Sequence, residues 1–98
     1  MPINPVLNGA ANLGAVQVSV GTTVSPVVPA RSTRRGVILQ NLTGSDAVYL
    51  GTESGVSTTQ GYPIQPTLYA SLYIPTTAAI YGIVKTTTQT VGVLEVYD

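Results

Sequence analysis

The chain has 98 residues, of which 44% are hydrophobic and 8% charged, and its four basic and four acidic residues cancel. That length suits one domain burying roughly two-thirds of its unfolded surface, enough for a modest core without staples. With neither cysteine nor histidine, disulfides, thiolate metal sites and the commonest catalytic bases and nucleophiles are excluded.

A typical globular domain is about 25% charged. Here Thr, Ser, Asn and Gln take the place of charge, and β-branched Thr favours strands. A net charge of zero promotes association over repulsion. We read a protein that works assembled, the plainer alternative being a small neutral monomer.

Residues 1–14, MPINPVLNGAANLG, show no periodicity, and Pro2 and Pro5 block a helix. They predict an extended arm, held by a neighbouring subunit, by a partner or by its own domain. The stretch lacks the basic and apolar regions of a signal peptide. No run approaches the roughly 18 apolar residues of a membrane span. The expectation is synthesis in a cytoplasm, or export by a route not written in the chain, without a membrane partner.

From residue 15 the pattern is strand after strand. AVQVSV alternates, with Val16, Val18 and Val20 on one face. TVSPVVPA is broken by Pro26 and Pro29 and suits an edge. GVILQNL is apolar on both faces at its start, so it belongs in the middle of a sheet. NLTGSDA reads as a turn and AVYLG as a short strand. TESGVSTTQG reads as a polar loop, and YPIQP as an extended segment. TLYASLYIP alternates, placing Leu68, Ala70, Leu72 and Ile74 opposite Tyr69, Ser71 and Tyr73. AAIYGIVK and TVGVLEVYD complete the set, joined by Thr86-Thr87-Thr88. Strands at spacings of about 8 to 12 residues predict an all-β fold. We expect a small antiparallel β-sandwich, jelly-roll-like, of seven to eight short strands. Residues 15–98 would form its single domain behind the arm of residues 1–14.

No constellation for catalysis is visible. Asp46 and Glu53 flank the AVYLG strand at opposite ends, and parity puts Glu95 and Asp98 on opposite faces. No spacing suits a metal and no motif calls for a cofactor. Asn41-Leu42-Thr43 matches a glycosylation sequon, but the turn is the better account of it.

Three of the four basic residues, Arg31, Arg34 and Arg35, fall within five positions ahead of Val37-Ile38-Leu39. Strong nucleic-acid binders make on the order of 6–10 phosphate contacts, which this chain cannot supply. The arginines either guard a strand against aggregation or pair with carboxylates on a protein partner. We assign Arg31 and Arg34 to a partner and Arg35 to the strand. Replacing Arg31 and Arg34 together is then expected to spare the fold. All six aromatic residues are tyrosines, which suit interfaces. Tyr69 and Tyr73 would share a contact face, for subunits or for a glycan ligand. With Pro2 and Pro5 of the arm, these are the partner-binding candidates.

At RRGVILQNLTGSDAVYLG, then GYPIQP, AIYGIV and VGVLEV, the chain resembles small β-rich virion proteins of tailed bacteriophages. The shared grammar is a basic residue (Arg35), a strand ending in Gln40-Asn41, a turn and a short strand ending in Gly51. The segment Gly61 to Pro66 and closing strands within Ala79 to Val96 follow. The resemblance covers residues 34–97. It implies a capsid decoration (cement) protein on the outer surface of the head. Such a protein would bridge major capsid subunits as a trimer or dimer, with no enzymatic activity. The alternatives are a head-fibre or tail-associated adhesion module contacting host glycans, through the tyrosines or residues 52–60, and a neck or tail connector.

Overall fold

The computed structural model describes residues 12–98. Eight strands account for its regular structure: β1 (Asn12–Val20), β2 (Ser25–Val28), β3 (Arg34–Asn41), β4 (Val48–Gly51), β5 (Tyr62–Ile64), β6 (Ser71–Ile74), β7 (Ile80–Ile83) and β8 (Gln89–Tyr97). They form two four-stranded antiparallel sheets, ordered β1-β8-β3-β6 and β2-β7-β4-β5. The all-β sandwich follows from the strand-length alternation read in the sequence.

The pairing is nested. β1 pairs with β8, β2 with β7, β3 with β6 and β4 with β5. The chain is thus one long hairpin whose tip is β4–β5. It is rolled until β3 also meets β8 and β4 meets β7. Each inner face alternates, so the valines and leucines of both sheets interdigitate. Val20, Val37, Leu39, Val48 and Val91 are wholly buried there. Burial at roughly 25 cal/mol per Å² of apolar surface is the main stabilising term.

The proline-broken segment is the edge strand β2, with a register shift between Pro26 and Val28, and β3 is interior. Two expectations change. The arm was expected to reach residue 14, but Asn12 to Gly14 already pair with Tyr97 to Glu95. Gly14 pairs with Glu95, and a Cβ there would make only an ordinary contact with the Tyr97 ring, at 3.5 Å. The rest of the expected arm, including Pro2 and Pro5, lies outside the described residues. TLYASLYIP is strand only from Ser71 onward. Tyr69 has φ of 68°, a left-handed conformation that no strand sustains. Leu68 and Tyr69 are therefore exposed turn residues.

Candidate functional site

Each end of the sandwich is closed by one buried polar node. At the first, Arg34 is the anchor. The pairing of β3 with β8 slips by one residue between Arg34 and Gly36, leaving Arg35 as the extra residue of a bulge. The slip turns Arg34 to the same side as Val37 and Leu39, where parity alone would set it outside. Its side chain has 0% exposure. Nε donates to the Thr76 carbonyl (2.7 Å), and Nη1 to the Pro29 carbonyl (2.8 Å) and to Glu95 Oε2 (3.0 Å). Nη2 donates to the Ala78 carbonyl. One guanidinium so ties together the β2–β3 connection, the β6–β7 connection and β8.

Arg31 completes the node. Its Nε lies 3.3 Å from Glu95 Oε2, and its guanidinium lies over the Tyr97 ring, 3.9 Å from the centroid, a cation–π geometry. Its side chain remains 38% exposed. Arg35 pairs with Asp98 at 3.2 Å on the surface, a contact worth little in water. The structure therefore gives all three arginines carboxylate partners within the chain. Arg34 has no surface to offer another molecule, which corrects the expectation that it can be replaced without harm to the fold. Arg31 retains an accessible edge, and Arg35 sits at the strand it was expected to guard.

The second node closes the opposite end. Asn41 is wholly buried. Its Nδ2 donates to the carbonyls of Asp46 and Gln65, and its Oδ1 accepts from the N–H groups of Thr43 and Gly44. A side chain so engaged is not free for a glycan, which favours the turn account of the sequon. Gln89 Oε1 accepts from Ser45 N–H, while Nε2 donates to Ser45 Oγ and the Thr87 and Thr88 carbonyls. Asp46 accepts from the N–H groups of Thr86 and Thr87.

Both nodes carry a carboxylate with a depressed pKa. Burial pushes Glu95 up, but hydrogen bonds from Arg34 and Arg31 and their charges outweigh it, leaving it below its ordinary 4.5. N–H donation from Thr86, then Thr87, holds Asp46 below its ordinary 3.8. A group depressed in the folded state contributes stability that is complete above its unfolded pKa and is lost as pH falls through its folded pKa. The chain has no histidine to titrate between pH 5 and 8. The urea midpoint is therefore expected to stay level from neutral pH down to about pH 5 and then to fall steadily. Glu95→Gln should lower the midpoint at neutral pH and make the acid fall shallower. A midpoint independent of pH down to pH 2 would remove both carboxylates from the account.

The remaining candidate is a surface. On the outer face of the β1-β8-β3-β6 sheet, Ala15 lies opposite Leu94, Leu94 opposite Ile38, and Ile38 opposite Tyr73. This apolar row crosses all four strands. Beside it runs a second row, Gln17, Gly92, Gln40 and Ser71. Gly92 has no side chain there, so a shallow groove opens between the rows, walled by Leu42. Neither row carries a charged residue; the exposed Arg35–Asp98 pair stands at the end of the face, where β3 and β8 meet. Leu13, Ile38, Tyr73 and Leu94 are all exposed on it.

The structure thus brings Tyr73 into this row and leaves Tyr69 in a turn apart from the strand. Leu13, Ile38 and Leu94 were missed by sequence reasoning. The signal for Ile38 and Leu94 was the unbroken Val37-Ile38-Leu39 and Val93-Leu94 runs, the first of which reads equally as a mark of interior position. Among the described residues, no three acidic side chains gather where a metal ion would sit. No protein-family model, curated protein or solved structure matches the chain.

Proposed function

We propose that this chain is a non-enzymatic structural protein of a tailed-bacteriophage virion. It decorates the outer surface of the head and bridges major capsid subunits. The observation that carries the docking role is the apolar row that crosses all four strands of the outer face. Contiguous exposed apolar surface marks a site for another protein. The virion assignment rests on the sequence resemblance. Two further features support the reading. The strand orders β1-β8-β3-β6 and β2-β7-β4-β5 fit the jelly-roll-like sandwich expected from the sequence, an architecture found in viral capsid and lectin domains. The polar nodes tie the crossover connections down, so the face is presented on a rigid body and little ordering cost falls on docking.

Two measurements test this. Quantitative mass spectrometry of purified particles should find the protein in a large multiple matching the shell; a single ring's worth would mean a connector instead. Ile38→Lys with Leu94→Lys should abolish particle binding while keeping stability within about 1 kcal/mol of the native chain, since both positions face solvent. Particle binding unchanged by those two lysines would reject this face as the docking surface. The exposed rings of Tyr62 and Tyr69 favour a second reading, host-glycan contact. A glycan array with the isolated protein decides it: binding lost in Tyr62→Ala and Tyr69→Ala identifies an adhesion module.

A further inference from the structure

The two sheets have four edges, and three of them are blunted. β2 carries Pro26 and a register shift, β5 is three residues long and contains Pro63, and β6 has four residues followed by Pro75. Short strands, prolines and bulges are the usual protections against unwanted pairing. β1 has none of them. It runs nine residues with no proline and no charged side chain, and its pairing with β8 is unbroken from Asn12 to Val20. Among the described residues, nothing pairs with its outer edge. β1 also outruns its cover, because β2 has only four residues. Val16, on the inward side, is left 57% exposed, and Leu13, on the outward side, 66%.

We propose that β1 pairs antiparallel with β1 of a second copy of this chain, joining two four-stranded sheets into one of eight. The identity of the partner follows from charge and count. A two-fold axis brings a charge near the middle of the strand close to its own copy across the seam; β1 carries none, so no like-charge repulsion opposes self-pairing. One open edge per copy among the described residues closes the assembly at two, without filaments. The register in which all nine residues pair puts the axis at Val16. Val16 then meets Val16, Gly14 meets Val18, Leu13 meets Ser19 and Ala15 meets Gln17. The exposed Val16 side chains cover each other where β2 falls short. This inference does not rest on the virion reading and is tested on the purified chain alone.

Sedimentation equilibrium of the full chain should give twice the 10.1 kDa chain mass. Ala15→Lys with Gln17→Lys, both on the outward side, should return it to single mass with its thermal unfolding retained. The chain has no cysteine, so one introduced thiol reports proximity cleanly. Val16→Cys should cross-link to a dimer under mild oxidation. Ser19→Cys should not, its two copies lying about 20 Å apart at ~3.4 Å per residue. Hydrogen exchange identifies other occupants. A chain of single mass with slowly exchanging β1 edge amides would mean that residues 1–11 cover the edge. A single mass with fast exchange would mean that nothing does. Either result, or a mass above two, overturns the proposal. A dimer that cross-links at Ser19 and not at Val16 overturns the register.

Discussion

Replacing Arg34 with alanine is expected to cost about 3–5 kcal/mol of folding stability, read from the urea midpoint, because it breaks a buried ion pair from one side only. Glu95 would keep its charge at 8% residue exposure, with only the longer contacts from Arg31 at 3.3 and 3.4 Å left to it. The carbonyls of Pro29, Thr76 and Ala78 would lose their donor together. A domain of this size has about 5–15 kcal/mol in all, so the variant should sit close to unfolding at physiological temperature. Arg34→Lys should recover part of the loss. It retains the charge, but an ammonium lacks the planar fork that serves four acceptors in different directions. The paired change Arg34→Met with Glu95→Leu should be far milder than Arg34→Ala, since no charge is then stranded. If the pair costs as much as the single change, the carbonyl contacts and not the ion pair hold the connections. Arg31→Ala should cost much less than Arg34→Ala, because its half-open pair with Glu95 is screened by solvent.

Most of the architecture could be read from the residues, because inward and outward positions alternate and each strand is bounded by turn formers. The edge placement of β2 follows from Pro26, and the interior placement of β3 from Val37-Ile38-Leu39. The site was less legible, for two physical reasons. Period-two reading assumes an unbroken pleat, and the bulge at Arg35 resets it. Sequence parity sets Arg34 outside, beside Ile38, whereas the slip turns it inward opposite Tyr97. Tyr69 was misplaced for a related reason. A left-handed φ ends the alternation two residues before β6, and no proline or glycine at that position announces it. The apolar row across β1, β8, β3 and β6 depends on register between strands far apart in the chain. Ala15 and Leu94 meet only because β1 and β8 are the ends of a rolled hairpin, which local pattern does not encode.

At the other end of the sandwich, Asn41→Leu should cost about 3 kcal/mol, with local exposure of the 42–47 turn. The leucine would match the volume roughly but satisfy none of four groups: the Asp46 and Gln65 carbonyls and the Thr43 and Gly44 N–H groups. Each buried polar group left unpaired costs about 1–3 kcal/mol; those near the surface regain water, which sets the total below the sum. Hydrogen exchange should show the Thr43 and Gly44 amides losing protection first. Asn41→Asp separates the two halves of the network. A carboxylate keeps both N–H bonds but turns an acceptor toward two carbonyls, so turn protection should persist while the Gln65 side loosens. The turn has little room to adapt. Gly44 has φ of 79°, and a Cβ there would stand 2.7 Å from Leu68 Cα, so the 42–47 and 65–70 turns are backbone against backbone. Gln89→Leu removes the Ser45 contacts from the same turn. The double variant Asn41→Leu with Gln89→Leu should therefore cost less than the two single costs added, since either change alone frees the turn. Strict additivity would mean that Asn41 and Gln89 hold separate structures, and that this end of the sandwich is closed by two independent clasps.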